Sequence, residues 1–142
     1  AFYDAASKNH VANGDRQLNH LLTTIKADEA AHVAALRKAL GSKAHKSPKF
    51  NFGKAVTDKH TFAATAFVLE NTGVHAYLGQ AGNIQNKAYL LVAASIVTIE
   101  ARHSGAIGAY LGKSIAPSGP FDTGLPASAI LKAVAGTKFI VG

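Results

Sequence analysis

Two short motifs in this sequence combine a carboxylate with an imidazole. Both read Glu-x-x-His: Glu29 with His32, and Glu100 with His103. Only three glutamates occur among the 142 residues, so two such motifs are well above chance. On a helix, positions three apart lie on one face, so each motif presents its two side chains next to each other. Such a pair is suited to holding a metal ion.

The third glutamate, Glu70, lies in a separate segment with helical periodicity. Two Glu-x-x-His motifs, with a glutamate from each of two further helices, form the ligand set of a two-metal carboxylate site in a four-helix bundle. The candidate metal ligands are therefore Glu29, His32, Glu70, Glu100 and His103. Carboxylates and imidazoles without sulfur suit iron, manganese or zinc, as one ion or two. Cysteine is absent, which excludes thiolate ligands and a cysteine nucleophile.

The helices that must position these residues can be read from the spacing of apolar side chains. A period of 3.6 residues predicts helices near 15–40, 58–80 and 86–112, and residues 1–9 look like the last turns of another. No alternating strand pattern occurs, so we predict an all-α antiparallel bundle. The candidate ligands fall inside the apolar stripes, where unpaired carboxylates are costly. Because no lysine or arginine occupies these stripes, we expect the five side chains to converge on a metal ion in the core.

The remaining segments are predicted to be mostly irregular. Residues Ser42–Thr57 form a loop rich in lysine, with proline and glycine. Residues 114–142 form an arm with a short helix at Ala127–Ala135 and an apolar strap at 139–141. At this length we expect a single domain, with a helical bundle at 1–113 followed by the arm.

The charge of the chain is uneven, with a formal net value of +7. The stretch 41–60 holds five lysines and one aspartate, a local charge of +4. This segment could bind an anionic surface, although a solvated loop is the simpler interpretation. Nucleic acid is not favoured, because only Phe50 and Phe52 are available for stacking. The longest apolar run, Ala88–Ile99, is too short to cross a bilayer, so no membrane span is predicted.

Three segments resemble the ferritin-like superfamily, in particular its fungal and plant desiccation- and stress-related branch. They read ADEAAHVAALRKALG (27–41), LENTGVHAYLGQA (69–81) and AASIVTIEARHSGAIGAYLG (93–112). The resemblance implies a ferritin-like antiparallel four-helix bundle, often in secreted or cell-surface proteins. It also implies that the five candidates occupy the superfamily's metal-ligand positions, with iron or manganese as the metal.

The resemblance implies one further ligand, a glutamate of the first helix just before an aromatic segment such as Phe2-Tyr3. Here that segment stands at the start, so we expect most of helix one, with its glutamate, to lie outside these 142 residues. Phe2 and Tyr3 should pack into the bundle, and another chain or peptide, within a homo-oligomer, should complete the helix. Three carboxylates with two neutral histidines carry a charge of −3, which favours one tightly held ion, or none, over two.

Three functions are compatible with these observations. The first is a carboxylate-histidine protein that binds iron or manganese and reacts with oxygen or peroxide. The second is a stress-related structural or interaction protein that keeps the bundle without catalysis. The third is an extracellular module that adheres to anionic polymers through the basic loop. The sequence does not decide whether the protein is an enzyme.

Overall fold

The chain is all-α, as predicted. A computed structural model describes all of residues 1–142. Its α-helices are α1 (Phe2–Lys8), α2 (Arg16–Leu40), α3 (Lys59–Ala81), α4 (Lys87–Tyr110) and α5 (Ala127–Gly136). The predicted boundaries of the three long helices and of the helix in the arm differ from these by at most two residues. The loop predicted at Ser42–Thr57 is more ordered than expected, because 3₁₀ turns lie at Gly41–Lys43 and Gly53–Val56.

Polar side chains just before the long helices determine where these helices begin. Asp15 accepts a hydrogen bond from the backbone N–H of Leu18, at 2.9 Å, and caps α2. Asp58 accepts from the hydroxyl and the backbone N–H of Thr61 in the first turn of α3. These two hydrogen bonds, of which the one from the hydroxyl has the larger effect, hold the pKa of Asp58 below its ordinary value. Asn86 caps α4 in the same way. Each cap satisfies N–H groups that have no partner within the helix.

The residues form two compact units. One consists of residues 1–62 and 138–142, and the other of residues 63–137. The first unit therefore contains α1, α2 and the C-terminal strap. The second contains most of α3, with α4 and α5. The single domain expected from the chain length stays a prediction.

An aromatic cluster forms the interior of the first unit. Phe2 and Tyr3 are each only 7% exposed, which confirms that they pack inside. The ring of Phe2 stacks on Phe62 with 5.3 Å between centroids, and it meets Phe52 edge-on at 5.4 Å. Phe139, in the predicted strap, stacks on Phe2 at 6.4 Å. Phe139 thus contributes to this core, whereas Ile140 and Val141 of the strap are 48% and 58% exposed.

The strap is also hydrogen-bonded to the lysine-rich loop at Ser42–Thr57. Lys49 donates a backbone hydrogen bond to the carbonyl of Gly142, at 2.9 Å, and accepts one from Val141, at 3.0 Å. Asn51 donates to the carbonyl of Phe139, at 2.8 Å. These bonds close an isolated antiparallel β-bridge between the loop and the chain end. Order in this loop comes from partners about ninety residues away, which the local composition could not show.

The apolar stripe of α2 is buried along only part of its length. Leu18, Leu22 and Ile25 lie in the core. The periodicity continues through Val33, Leu36 and Leu40, yet these side chains are 47%, 37% and 51% exposed. Within this unit α2 packs against α1, with Lys26 and Asp4 3.7 Å apart. At 1.5 Å per residue α1 is about 10 Å long and α2 about 37 Å, so α1 covers only the first turns of α2.

In the second unit, the C-terminal arm is bonded to the side of α3. The backbone N–H of Leu125 donates to the carbonyl of His75, at 3.0 Å. The ring Nδ1 of His75 donates to the carbonyl of Thr123, at 2.5 Å. His75 is partly exposed. Its bond to the arm depends on a residue 48 positions away and was not anticipated.

One helix, α4, is long and apolar enough to cross a membrane by length and composition alone. The sequence interpretation considered only Ala88–Ile99 and predicted no span. Core helices of helical bundles pass the same test, so a single such helix is weak evidence for a span. The buried face of α4 carries Glu100 and His103. No clear membrane span follows.

Candidate metal centre

The second unit brings together three buried ionisable side chains. Glu70 comes from α3 and is 3% exposed, while Glu100 and His103 come from α4 and are each 6% exposed. Nδ1 of His103 lies 3.0 Å from Oε2 of Glu70, within hydrogen-bond distance. Carboxylates are rarely buried to this extent without a partner of opposite charge or a proton. This group is therefore the strongest candidate for a functional site in the chain.

The antiparallel packing of α3 and α4 explains why these residues meet. Glu70 lies opposite His103, and Gly73, one turn further along α3, lies opposite Glu100, one turn earlier in α4. The two helices therefore run antiparallel. The short connection at residues 82–86 between the two helices permits this arrangement. The Glu-x-x-His motif of α4 is thereby placed at the height of Glu70.

The imidazole of His103 is oriented by Glu70. Without a bound ion, a hydrogen bond between Nδ1 and the carboxylate holds the ring in place. Two neighbouring ligand atoms of one ion, each about 2.1 Å from it, lie about 3 Å apart, so Nδ1 of His103 and Oε2 of Glu70 can bind the same ion. The carboxylate-histidine pair thus sets the direction of the ring. This pairing across two helices was not part of the sequence interpretation, which paired each histidine with the glutamate of its own motif.

A glycine makes room for the second carboxylate. A Cβ atom added to Gly73 would lie only 2.5 Å from Oε2 of Glu100. Gly73 therefore allows the Glu100 side chain to lie directly against the backbone of α3. Glycine costs helix stability relative to alanine, by about 1 kcal/mol, so its presence within α3 has a local cost that this contact explains.

We predict that Gly73→Ala weakens metal binding about tenfold or more without destabilising the metal-free protein. The new methyl group must push the Glu100 carboxylate away, and displaced or unsupported ligands typically cost 10- to 100-fold in affinity. Alanine also favours the helix, so the melting temperature of the metal-free variant should stay the same or rise. Calorimetric titration with Mn²⁺ or Zn²⁺ and a melting curve measure the two effects.

The control for this variant is Gly136→Ala, a helical glycine whose added Cβ would meet no atom within 4 Å. It should leave metal affinity unchanged. Equal metal affinity in Gly73→Ala and the wild type would show that the Glu100 position does not matter for binding.

The donor set fits a metal ion. Glu70, Glu100 and His103 each offer a ligand atom, and these atoms lie within 4.8 Å of one another. Two carboxylates and one imidazole are the oxygen and nitrogen donors that iron, manganese and zinc accept. A cation would also offset the repulsion between two buried carboxylates. The group can therefore hold a metal ion.

The other predicted ligands, Glu29 and His32, form a pair on α2 in the first unit. Nδ1 of His32 lies 3.1 Å from Oε1 of Glu29, as expected for side chains three positions apart on a helix. Their side chains are 12% (His32) and 30% (Glu29) exposed, so this pair is less buried than the sequence interpretation expected. The convergence of all five candidates on one ion stays a prediction.

A comparison with protein families gives one match. The model of a family described as ferritin-like domain matches residues 1–113, a range that contains α1 to α4 and all five candidate ligands. A search of curated proteins finds no match.

Proposed function

Because the chain belongs to the ferritin-like domain family, we propose that it is a metal-binding protein whose centre is built on Glu70, Glu100 and His103. The observation that carries this proposal is the burial of two carboxylates and one imidazole, all at most 6% exposed, in one small volume. Without a cation, this arrangement requires extra protons on the carboxylates or leaves like charges close together. A divalent ion removes that difficulty.

We extend the proposal to Glu29 as a fourth ligand and to His32 as a fifth. Support comes from their Glu-x-x-His spacing, which repeats that of Glu100 and His103, and from a family match that covers both motifs. The hydrogen bond between Glu29 and His32 also holds their side chains on one face of α2. Three carboxylates provide a charge of −3, which neutralises one divalent ion fully and two ions incompletely. One ion per chain is the expected occupancy.

Iron or manganese is the proposed metal, and zinc fits the same donors. When bound, iron or manganese would supply redox chemistry towards oxygen or peroxide. The side chains of Glu70, Glu100 and His103 bind the ion and orient one another. Glu70 orients the ring of His103, and the packing of α3 on α4 buries both carboxylates.

The proposal is tested by measuring the metal content of the purified protein by mass spectrometry, then titrating the metal-free protein with Fe²⁺, Mn²⁺ and Zn²⁺. We expect about one ion per chain and a rise in melting temperature. A ligand at 100 times its dissociation constant stabilises a protein by about 2.7 kcal/mol. A protein that binds none of these ions, and whose melting temperature none of them changes, would contradict the proposal.

The basic segment supports a second candidate function, binding to an anionic polymer. Its lysines are all exposed and none forms an ion pair: Lys43, Lys46, Lys49, Lys54 and Lys59. Phe50, in the middle of the segment, is 39% exposed. Unpaired charges on one segment create a local positive potential that attracts polyanions.

Retention on immobilised heparin tests this candidate. Replacing Lys43, Lys46 and Lys49 with glutamine should lower the salt concentration needed for elution, because salt screens exposed charges. The control replaces Lys8, Lys87 and Lys132 with glutamine. These lysines are also exposed, and their replacement lowers the net charge by the same amount. Equal elution of the two variants would show that only net charge matters.

A role in stress or desiccation and an extracellular or cell-surface location rest on the resemblance alone. We also propose that the exposed residues Val33, Leu36 and Leu40 of α2 are covered by a helix of another chain in a homo-oligomer. Exposed apolar patches commonly mark such interfaces. Light scattering gives the mass of the assembly, and a monomer at micromolar concentration would contradict this part.

A further inference from the structure

Ser104 carries a buried hydroxyl group without a hydrogen-bond partner. The residue is 2% exposed, and its Oγ atom makes no hydrogen bond. Leaving such a group unsatisfied costs about 1–3 kcal/mol. Unpaired buried groups in native proteins therefore call for a specific explanation, such as an ordered water molecule or an ion. Another serine of α4, the exposed Ser95, donates normally to the carbonyl of Val92, at 2.7 Å.

The position of Ser104 connects it with the candidate metal centre. It follows His103 directly and comes four residues after Glu100, so it shares a helix face with that carboxylate. The buried residues of α4 form one continuous arc, and both Glu100 and Ser104 belong to it. Serine within a helix usually bonds to the backbone of the preceding turn. Ser104 does not, so its hydroxyl remains available inside the buried arc.

We propose that Ser104 is a positioning residue that donates a hydrogen bond to a water or hydroxide ligand of the metal ion. The inference rests on the proposed function. Metal centres that bind exogenous ligands keep a coordination position for water beside their protein ligands. A hydroxyl next to that position satisfies both groups and directs the solvent ligand. Groups that hydrogen-bond to metal ligands in this way affect metal affinity by 10- to 100-fold.

Ser104→Ala distinguishes this role from a purely structural one, because the two roles predict different changes in the melting temperature of the metal-free protein. Removing an unpaired buried hydroxyl should leave the melting temperature of the metal-free protein unchanged or higher. Metal affinity, measured by titration with Co²⁺, should fall about tenfold or more. The visible absorption spectrum of bound Co²⁺ should also change, because it reports the ligands around the ion.

Two controls accompany this variant. Ser95→Ala removes an exposed hydroxyl from the same helix and should change neither affinity nor spectrum. In Ser104→Thr and Ser104→Val the new side chains have the same shape as each other, but only threonine carries a hydroxyl. The threonine variant should therefore bind Co²⁺ more tightly than the valine variant. This pair keeps the test valid if a change of volume at residue 104 disturbs the packing.

The outcomes distinguish the inference from the proposed function. A wild-type protein that binds no Co²⁺, Mn²⁺ or Zn²⁺ overturns both. A wild type that binds, with Ser104→Ala equal to it in affinity and spectrum, overturns only the assignment of Ser104. A drop of several degrees in the melting temperature of metal-free Ser104→Ala also overturns the assignment, because the hydroxyl would then have a partner in the fold.

Discussion

Replacing Glu100 with glutamine is expected to abolish the metal-dependent rise in melting temperature. Glu100 is 6% exposed, lies against the backbone of α3 at Gly73, and belongs to the group that can hold an ion. Glutamine keeps the shape of the side chain but removes its charge and one ligand oxygen. At a metal concentration of 100 times the wild-type dissociation constant, the stabilisation lost is about 2.7 kcal/mol.

The metal-free Glu100→Gln protein should behave in the opposite way. Glu70 and Glu100 are both buried, and two carboxylates in one site disfavour each other's charged form. Removing one charge relieves that repulsion, so the melting temperature without metal should equal or exceed that of the wild type. A variant that is simply misfolded would lose stability under both conditions, which separates the two explanations.

Melting curves with and without Mn²⁺ or Zn²⁺ measure both effects in one experiment. Asp122→Asn is the matched control, because it makes the same carboxylate-to-amide change at an exposed position of the second unit. It should keep the full metal-dependent rise. If the rise persists in Glu100→Gln, the ion binds elsewhere, and the proposed centre has to be abandoned.

Gly79→Ala is expected to detach the C-terminal arm from α3. An added Cβ atom would lie 1.9 Å from the carbonyl oxygen of Leu125 and 2.7 Å from its carbonyl carbon. These are backbone atoms that cannot rotate away, so the arm itself must move. The hydrogen bonds from Leu125 to His75 and from His75 to Thr123 would then be lost. Overpacking of this kind costs about 1–3 kcal/mol, more than the gain in helix propensity from alanine.

Limited proteolysis measures the release of the arm. Cleavage between residues 114 and 126 should be markedly faster in Gly79→Ala, and the melting temperature should fall. Gly82→Ala is the control, because a Cβ at that glycine meets nothing within 4 Å. Equal cleavage rates in the two variants would mean that the close contact between Gly79 and Leu125 does not hold the arm.

The sequence by itself determined the helices and the types of residue that they carry. Asp15, Asp58 and Asn86 act on N–H groups within three positions, so their capping function can be read locally. The spacing of apolar residues has the helical period, and two Glu-x-x-His motifs place a carboxylate next to an imidazole on any helix. The all-α class followed from these local regularities, the ferritin-like family followed from the resemblance of three segments, and both are confirmed.

Only the tertiary structure decided which faces are buried and which residues meet. The apolar period continues to Leu40, but the fully buried apolar residues of α2 end at Ile25, because a stripe is buried only where another element covers it. The pairing of His103 with Glu70 depends on the register of α3 against α4. Gly73 lies against a carboxylate and Gly79 against a backbone carbonyl. Ser104 is buried without a hydrogen bond. Such features depend on residues distant in sequence, about which periodicity carries no information.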